Sequence, residues 1–221
     1  MTTRHALITC ADTYMGPAIR KKFQALGYQV TAGPSPMRME EEIDVLIEGA
    51  GEIDVLIANL AQPPMSQPVQ DINNDDWQVL FNTLVHPLMY LVRAVVPQML
   101  ERSSGKIIAV TSAAPLRGIP NNSAYCAARG AQNAFIKAVG LELARNNIQV
   151  NAIGQNYINN DTYYPDELLD NPKFKDHLKR NVPTNKIGAA EETAELAAYL
   201  ASENCSHIVG QVIPLAGGWA T

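Results

Sequence analysis

Two residues in this chain have the types and the spacing for proton chemistry. Tyr125 and Arg129 are four apart, so on a helix they share one face. A free phenol has a pKa of about 10 and is a poor base at neutral pH. A guanidinium beside it favours the phenolate and lowers that value. Arginine suits the task because it stays charged at any working pH and holds a fixed fork of donors. Ser112 stands at the end of an apolar run of strand length, where open α/β sheets place their ligand crevice. Residues as common as these gain weight only when a fold brings them together.

That fold needs a strand ending at Ser112 and a helix carrying Tyr125 and Arg129. Apolar runs of strand length alternate with longer stretches of helical period. Strands are expected at 6–9, 29–32, 55–58, 106–111, 148–153 and 211–215. Helices are expected at 17–26, 39–48, 77–101, 123–145 and 190–201, with Pro17 in a first turn that tolerates a missing N–H. The acidic run Glu40–Glu42 fits a solvated first helical turn. The alternation predicts an α/β fold, a doubly wound parallel sheet flanked by helices, as one domain over 1–221. The segment 155–182, rich in Asn, Asp, Tyr and Pro, is too long for a simple connection and is expected to be a functional loop.

Composition narrows the function. Apolar residues make up 47% of 221, the ordinary globular level. The net charge is -5 with no basic stripe, which argues against nucleic acid or an anionic membrane as partner. No secretory signal is read at the N-terminus, and no apolar run is read as long enough to cross a bilayer. Cys10, Cys126 and Cys205 are scattered without CxxC spacing, which suggests reduced thiols and a cytoplasmic location. His5, His86, His177 and His207 have no metal spacing, so no metal is expected.

Nearly the whole chain resembles the short-chain dehydrogenase/reductase family. The segments that carry the likeness are WQVLFNTLVHPLMYLVRAVVPQML, SGKIIAVTSAA, NSAYCAARGAQNAFIKAVGLELARNNIQVNAI and HIVGQVIPLAGGWA, in that order. The resemblance implies a Rossmann-like fold. Three departures are more telling than the match. Family members carry TGxxxGxG after the first strand, so that the backbone can approach a pyrophosphate. Here Cys10 and Tyr14 stand at two of those glycines and only Gly16 remains, and a Tyr ring there would occupy phosphate space. After the second strand the chain runs GPSPMR straight into a helix, so the cofactor half looks shortened by one βα unit and offers no ribose-reading residue. The family's NNAG reads Asn59-Leu60-Ala61 after Ala58, and the Asn of its proton relay aligns with Leu84. Finally, the family's Tyr-x-x-x-Lys is here Tyr125-x-x-x-Arg129.

A Ser, Tyr and Arg set behind a lost glycine loop resembles the halohydrin dehalogenases, relatives of that family that work without a cofactor. The resemblance implies expulsion of halide from a vicinal halohydrin to give an epoxide, and reverse opening of epoxides by halide, azide, cyanide or nitrite. It implies Tyr125 as general base, Arg129 as its tuner and Ser112 as anchor for the substrate oxygen. It also implies a halide site on the loop Gln155-Asn156-Tyr157-Ile158, with backbone N–H groups of Tyr157 and Ile158 as donors and Tyr14 and Gln155 as walls. Asn156 is expected to brace that loop. No nicotinamide and no metal are implied, and a homotetramer is, built on the two long helices. Tyr163 and Tyr164 are expected to cover the core or shape the entrance. Trp219 is read as either reaching the site or capping the core. Two rival readings remain: a nicotinamide-dependent reductase with an aberrant loop, and a binding or scaffold protein on the same fold.

Overall fold

The computed structural model describes residues 3–34 and 39–221. Six parallel strands form its centre: β1 (His5–Ile8), β2 (Gln29–Ala32), β3 (Val55–Asn59), β4 (Gly105–Ser112), β5 (Ile148–Gln155) and β6 (Val212–Leu215). Every residue of β1, β3, β4 and β5 is buried, which is why these strands read as unbroken apolar runs rather than alternating ones.

Helices cover both faces. On one side lie α2 (Glu40–Ala50), α3 (Asn74–Leu80), α4 (His86–Arg102) and α6 (Ser123–Leu143), packed through Ile43, Leu84, Leu88, Val95 and Ile136. On the other lie α1 (Gly16–Ala25) and α9 (Ala190–Ala201), packed through Ile19, Phe23, Ala197 and Leu200. A short α5 (Ala114–Arg117) follows β4, and α7 (Asp166–Leu169) and α8 (Pro172–Asn181) follow β5. A π-helical turn, Phe81–Val85, joins α3 to α4.

The strand order is β2-β1-β3-β4-β5-β6. Its first five strands are what remains when a 3-2-1-4-5-6 dinucleotide-binding sheet loses its outermost strand. The order reverses between β1 and β3, and ligands of open α/β sheets bind at the carboxyl ends beside that point. Ser112 and Gln155 close β4 and β5 side by side in register, at that same edge.

Two expectations need correction. The segment 155–182 is not a plain loop, since it holds α7 and α8. Asn171 caps α8 by accepting from the Lys173 N–H, and Leu178 is its one buried side chain, so this mostly polar helix reads as loop by composition. The second concerns length: Asn74–Arg102 is one continuous helix of 29 residues, long and apolar enough by composition to cross a membrane. Between Trp77 and Leu100 its single Asp, Glu, Lys or Arg is Arg93. Leu80, Leu84, Leu88, Leu91, Val95 and Met99 form its buried stripe against the sheet. The connection at 35–38, part of the expected shortening, lies outside the described residues.

Candidate active site

Ser112 ends β4 with its hydroxyl turned back to the chain, where Oγ accepts from the Ala114 N–H at 3.1 Å. Its carbonyl accepts from Asn133 Nδ2 at 3.1 Å, which pins the strand end to α6. Tyr125 and Arg129 occupy successive turns of that helix. Arg129 Nε donates to the Tyr125 hydroxyl at 3.2 Å, as i,i+4 spacing allows.

Arg129 is fully buried. Its Nη1 donates to Gln132 Oε1 at 2.9 Å and its Nη2 to the Tyr163 hydroxyl at 2.8 Å. Among the described residues no carboxylate pairs with it. Burial opposes its charge, but the facing oxygens of Tyr125, Tyr163 and Tyr14 outweigh burial and hold its pKa above the ordinary arginine value. Gln132 in turn donates from Nε2 to the Leu84 carbonyl at 2.6 Å. That carbonyl lies in the π-helical turn.

Tyr125 opens on a cavity of about 180 Å³. Seven of the eight residues singled out from the sequence line it: Tyr14, Ser112, Tyr125, Gln155, Asn156, Tyr157 and Ile158. Arg129, the eighth, lies behind Tyr125 and does not reach the wall. Tyr163 and Tyr164 also line the cavity. Their expected place at the entrance is therefore only part of the description, because the Tyr163 hydroxyl joins the Arg129 network.

The loop after β1 keeps the backbone of a glycine loop without its glycines. Cys10 and Tyr14 have φ of 46° and 56°, a left-handed conformation that non-glycine residues adopt at a cost. Gly16 remains because a Cβ there would meet the Cys10 carbonyl and the Ala11 backbone. The Tyr14 ring lies 5.2 Å, centroid to centroid, from that of Tyr163. Burial raises the Tyr14 pKa and keeps its phenol neutral. Asn59 holds this loop from β3, with Nδ2 donating to the Cys10 carbonyl at 3.0 Å and the Thr13 carbonyl at 3.2 Å.

On the opposite wall, Tyr157 has φ of 53°. Its N–H donates to Asn156 Oδ1 at 3.0 Å and to the Tyr164 hydroxyl at 3.1 Å, so Asn156 does brace the loop. The Tyr164 hydroxyl donates to the same Asn156 oxygen at 3.0 Å. Ile158 is buried and pairs through its bridge with Gly188. Gln155 is fixed by the Thr193 hydroxyl at 3.0 Å. The Tyr157 hydroxyl meets His177 Nε2 at 2.8 Å, which ties α8 to the cavity rim. Trp219 packs edge-on to Tyr157 at 5.9 Å and is not among the residues that line the cavity. Among the described residues no cluster of His, Cys, Asp and Glu could hold a metal.

Gln132 was not singled out from the sequence, and Tyr163 was read as covering the core or shaping the entrance, not as a partner of Arg129. Gln132 was within reach, since it sits three residues beyond Arg129 on the same helical face. Tyr163 gave no such signal.

A family model described as enoyl-(acyl carrier protein) reductase matches residues 34–220. Nodulation protein G of Rhizobium meliloti is 31% identical over 204 residues, 92% of this chain and 74% of that protein. Other curated relatives carry dehydrogenase and reductase names. Among solved structures, one described as a dehalogenation enzyme superposes with a TM-score of 0.92 at 30% identity, over 99% of both chains. A halohydrin dehalogenase bound to ethyl (2S)-oxiran-2-ylacetate superposes with a TM-score of 0.90 at 27% identity, over 98% of this chain and 97% of that one.

Proposed function

Since the chain belongs to the short-chain dehydrogenase/reductase family, we propose that it is a member that has exchanged hydride transfer for the dehalogenation of vicinal halohydrins. One observation carries this reading. A buried Arg129, with a phenol in place of a carboxylate as its partner, backs Tyr125 onto a small cavity whose cofactor side is filled by the Tyr14 ring. The family's usual nicotinamide dinucleotide does not fit these residues. Side chains replace two of the glycines that would let its pyrophosphate approach, and Tyr14 stands in that space. The two similar structures described as dehalogenases support the same reading.

The chemistry is an intramolecular displacement. Tyr125, as phenolate, takes the proton of the substrate hydroxyl, and the Arg129 cation stabilises the charge on the Tyr125 oxygen beforehand. The Ser112 hydroxyl holds the substrate oxygen in line. The resulting alkoxide attacks the neighbouring carbon, the C–O bond of the epoxide forms, and the carbon–halogen bond breaks with its electrons leaving on the halide. Halide is large and singly charged, so a backbone N–H with apolar and aromatic walls holds it without trapping it. The Tyr157 N–H would give up Asn156 and the Tyr164 hydroxyl to meet it. Ile158, Gln155 and Tyr14 complete the pocket.

The test uses dialysed protein, a small vicinal bromo-alcohol and no added nicotinamide, with free halide and proton release followed together. Release in equal amounts is expected, and Tyr125→Phe should abolish it while circular dichroism stays unchanged. Near-native release by that variant would sink the mechanism. The rival reductase reading predicts saturable NADH or NADPH binding and no halide.

A further inference from the structure

Two phenols, not one, meet the Arg129 guanidinium. Nε reaches Tyr125 at 3.2 Å and Nη2 reaches Tyr163 at 2.8 Å, and the two hydroxyls lie 3.5 Å apart. The residues come from distant parts of the chain, Tyr125 from α6 and Tyr163 from the segment after β5. Tyr163 is held from both ends. Its N–H donates to Asn160 Oδ1 at 2.9 Å, and Asn160 Nδ2 donates to the Ile158 carbonyl at 2.7 Å. Its hydroxyl donates to the Gln62 carbonyl at 2.9 Å and accepts from the Gln62 N–H at 3.2 Å.

The environments of the two oxygens differ in kind. A buried guanidinium with no carboxylate partner favours negative charge on whichever phenol can carry it. Tyr125 lines the cavity, where a substrate hydroxyl can meet it. The Tyr163 oxygen is already clamped by the backbone N–H and C=O of Gln62 and by Arg129. Where neighbouring titratable groups have such divergent surroundings, their duties divide.

We propose that Tyr163 is a positioning residue: its oxygen accepts from Arg129 and holds that side chain against Tyr125, and its O–H turns from the Gln62 carbonyl to the Tyr125 oxygen when that oxygen becomes a phenolate. The inference rests on reading Tyr125 as the base. Burial agrees with it, since it holds the Tyr163 phenol protonated well above the usual tyrosine range against the opposing pull of Arg129. The groups facing Tyr163 are Arg129 and Tyr125 from α6, Tyr14 from the loop after β1, and its neighbour Tyr164, whose ring is 6.5 Å away. None is a carboxylate, so the guanidinium has two phenols to divide itself between and no stronger anion to choose. Turning the O–H requires the 3.5 Å separation to close by a few tenths of an ångström, as catalytic contacts commonly do when the site is loaded.

The test reads the phenolate directly, without substrate. Tyrosinate absorbance is titrated against pH in the wild type, Tyr125→Phe and Tyr163→Phe. The step that Tyr125→Phe removes should move up by about one pH unit in Tyr163→Phe, about a tenfold tighter hold on the proton. The acidic limb of kcat/KM for halide release should move with it. Circular dichroism checks the fold, and Tyr163→Met, an apolar filler with no hydroxyl, must shift the step in the same direction. A step that stays in place or moves down in Tyr163→Phe overturns the proposal while leaving Tyr125 as the base. A wild-type titration with no step that Tyr125→Phe removes overturns the base assignment itself, and this proposal with it.

Discussion

At the scale of the residue, the candidate site gives one buried cation several oxygen partners and, among the described residues, no carboxylate. Gln132 is the partner whose removal can be priced. It stands between Arg129 Nη1 and the Leu84 carbonyl, so Gln132→Leu leaves a buried donor and a buried acceptor short. A loss of about 2 kcal/mol is expected in urea denaturation, with kcat falling more than KM because Arg129 loses its fixed pose. An unchanged unfolding midpoint would mean that the two groups find other partners. Tyr125 and Arg129 were legible because four residues of helix is a fixed geometry, and Gln132 obeys the same arithmetic. Tyr163 was not legible. It lies 38 residues from Tyr125 in a segment whose path depends on side-chain bonds, such as those of Asn160, rather than on any period.

At the scale of the element, the turn from β1 to α1 shows a backbone outliving its sequence. Left-handed φ at Cys10 and Tyr14 preserves the curve that glycines would give. Gly16 cannot follow them, because the space for its Cβ is taken by peptide atoms of residues 10 and 11 rather than by a side chain that could yield. Gly16→Ala should therefore destabilise by about 3 kcal/mol, read as a lowered midpoint in guanidinium. A native-like midpoint would show that the turn rebuilds itself. The strands were readable as apolar runs because both faces of the sheet are covered. The helix α8 was not, because a polar helix with one buried leucine resembles a loop in composition. The loop change was legible only as missing glycines; that the backbone kept its shape is a property of φ, which letters do not carry.

At the scale of the whole molecule, the parallel sheet followed from the alternation of runs, since parallel neighbours need helical crossovers, while the order of its strands came from the structure. The long helices read as apolar on more than one face, and the structure leaves part of that outer surface uncovered. The Asn74–Arg102 helix is apolar beyond its buried stripe, with Trp77 and Val79 exposed, and Leu141 of α6 is 74% exposed. Such faces on two neighbouring helices fit the tetramer proposed from the family resemblance. Sedimentation should give four chains per particle, and a stable monomer would overturn that. A last consequence concerns ionic strength. Salt weakens charge interactions that water can reach, over about 8 Å at physiological concentrations, and the six ion pairs found among the described residues all have at least one partner open to solvent. The one cation at the centre of the chemistry has no exposed surface and no carboxylate to be unpaired from. Counter-ions that loosen the shell of this protein do not reach the Arg129 guanidinium, so its contact with the proposed base Tyr125 should persist as the solvent becomes saline.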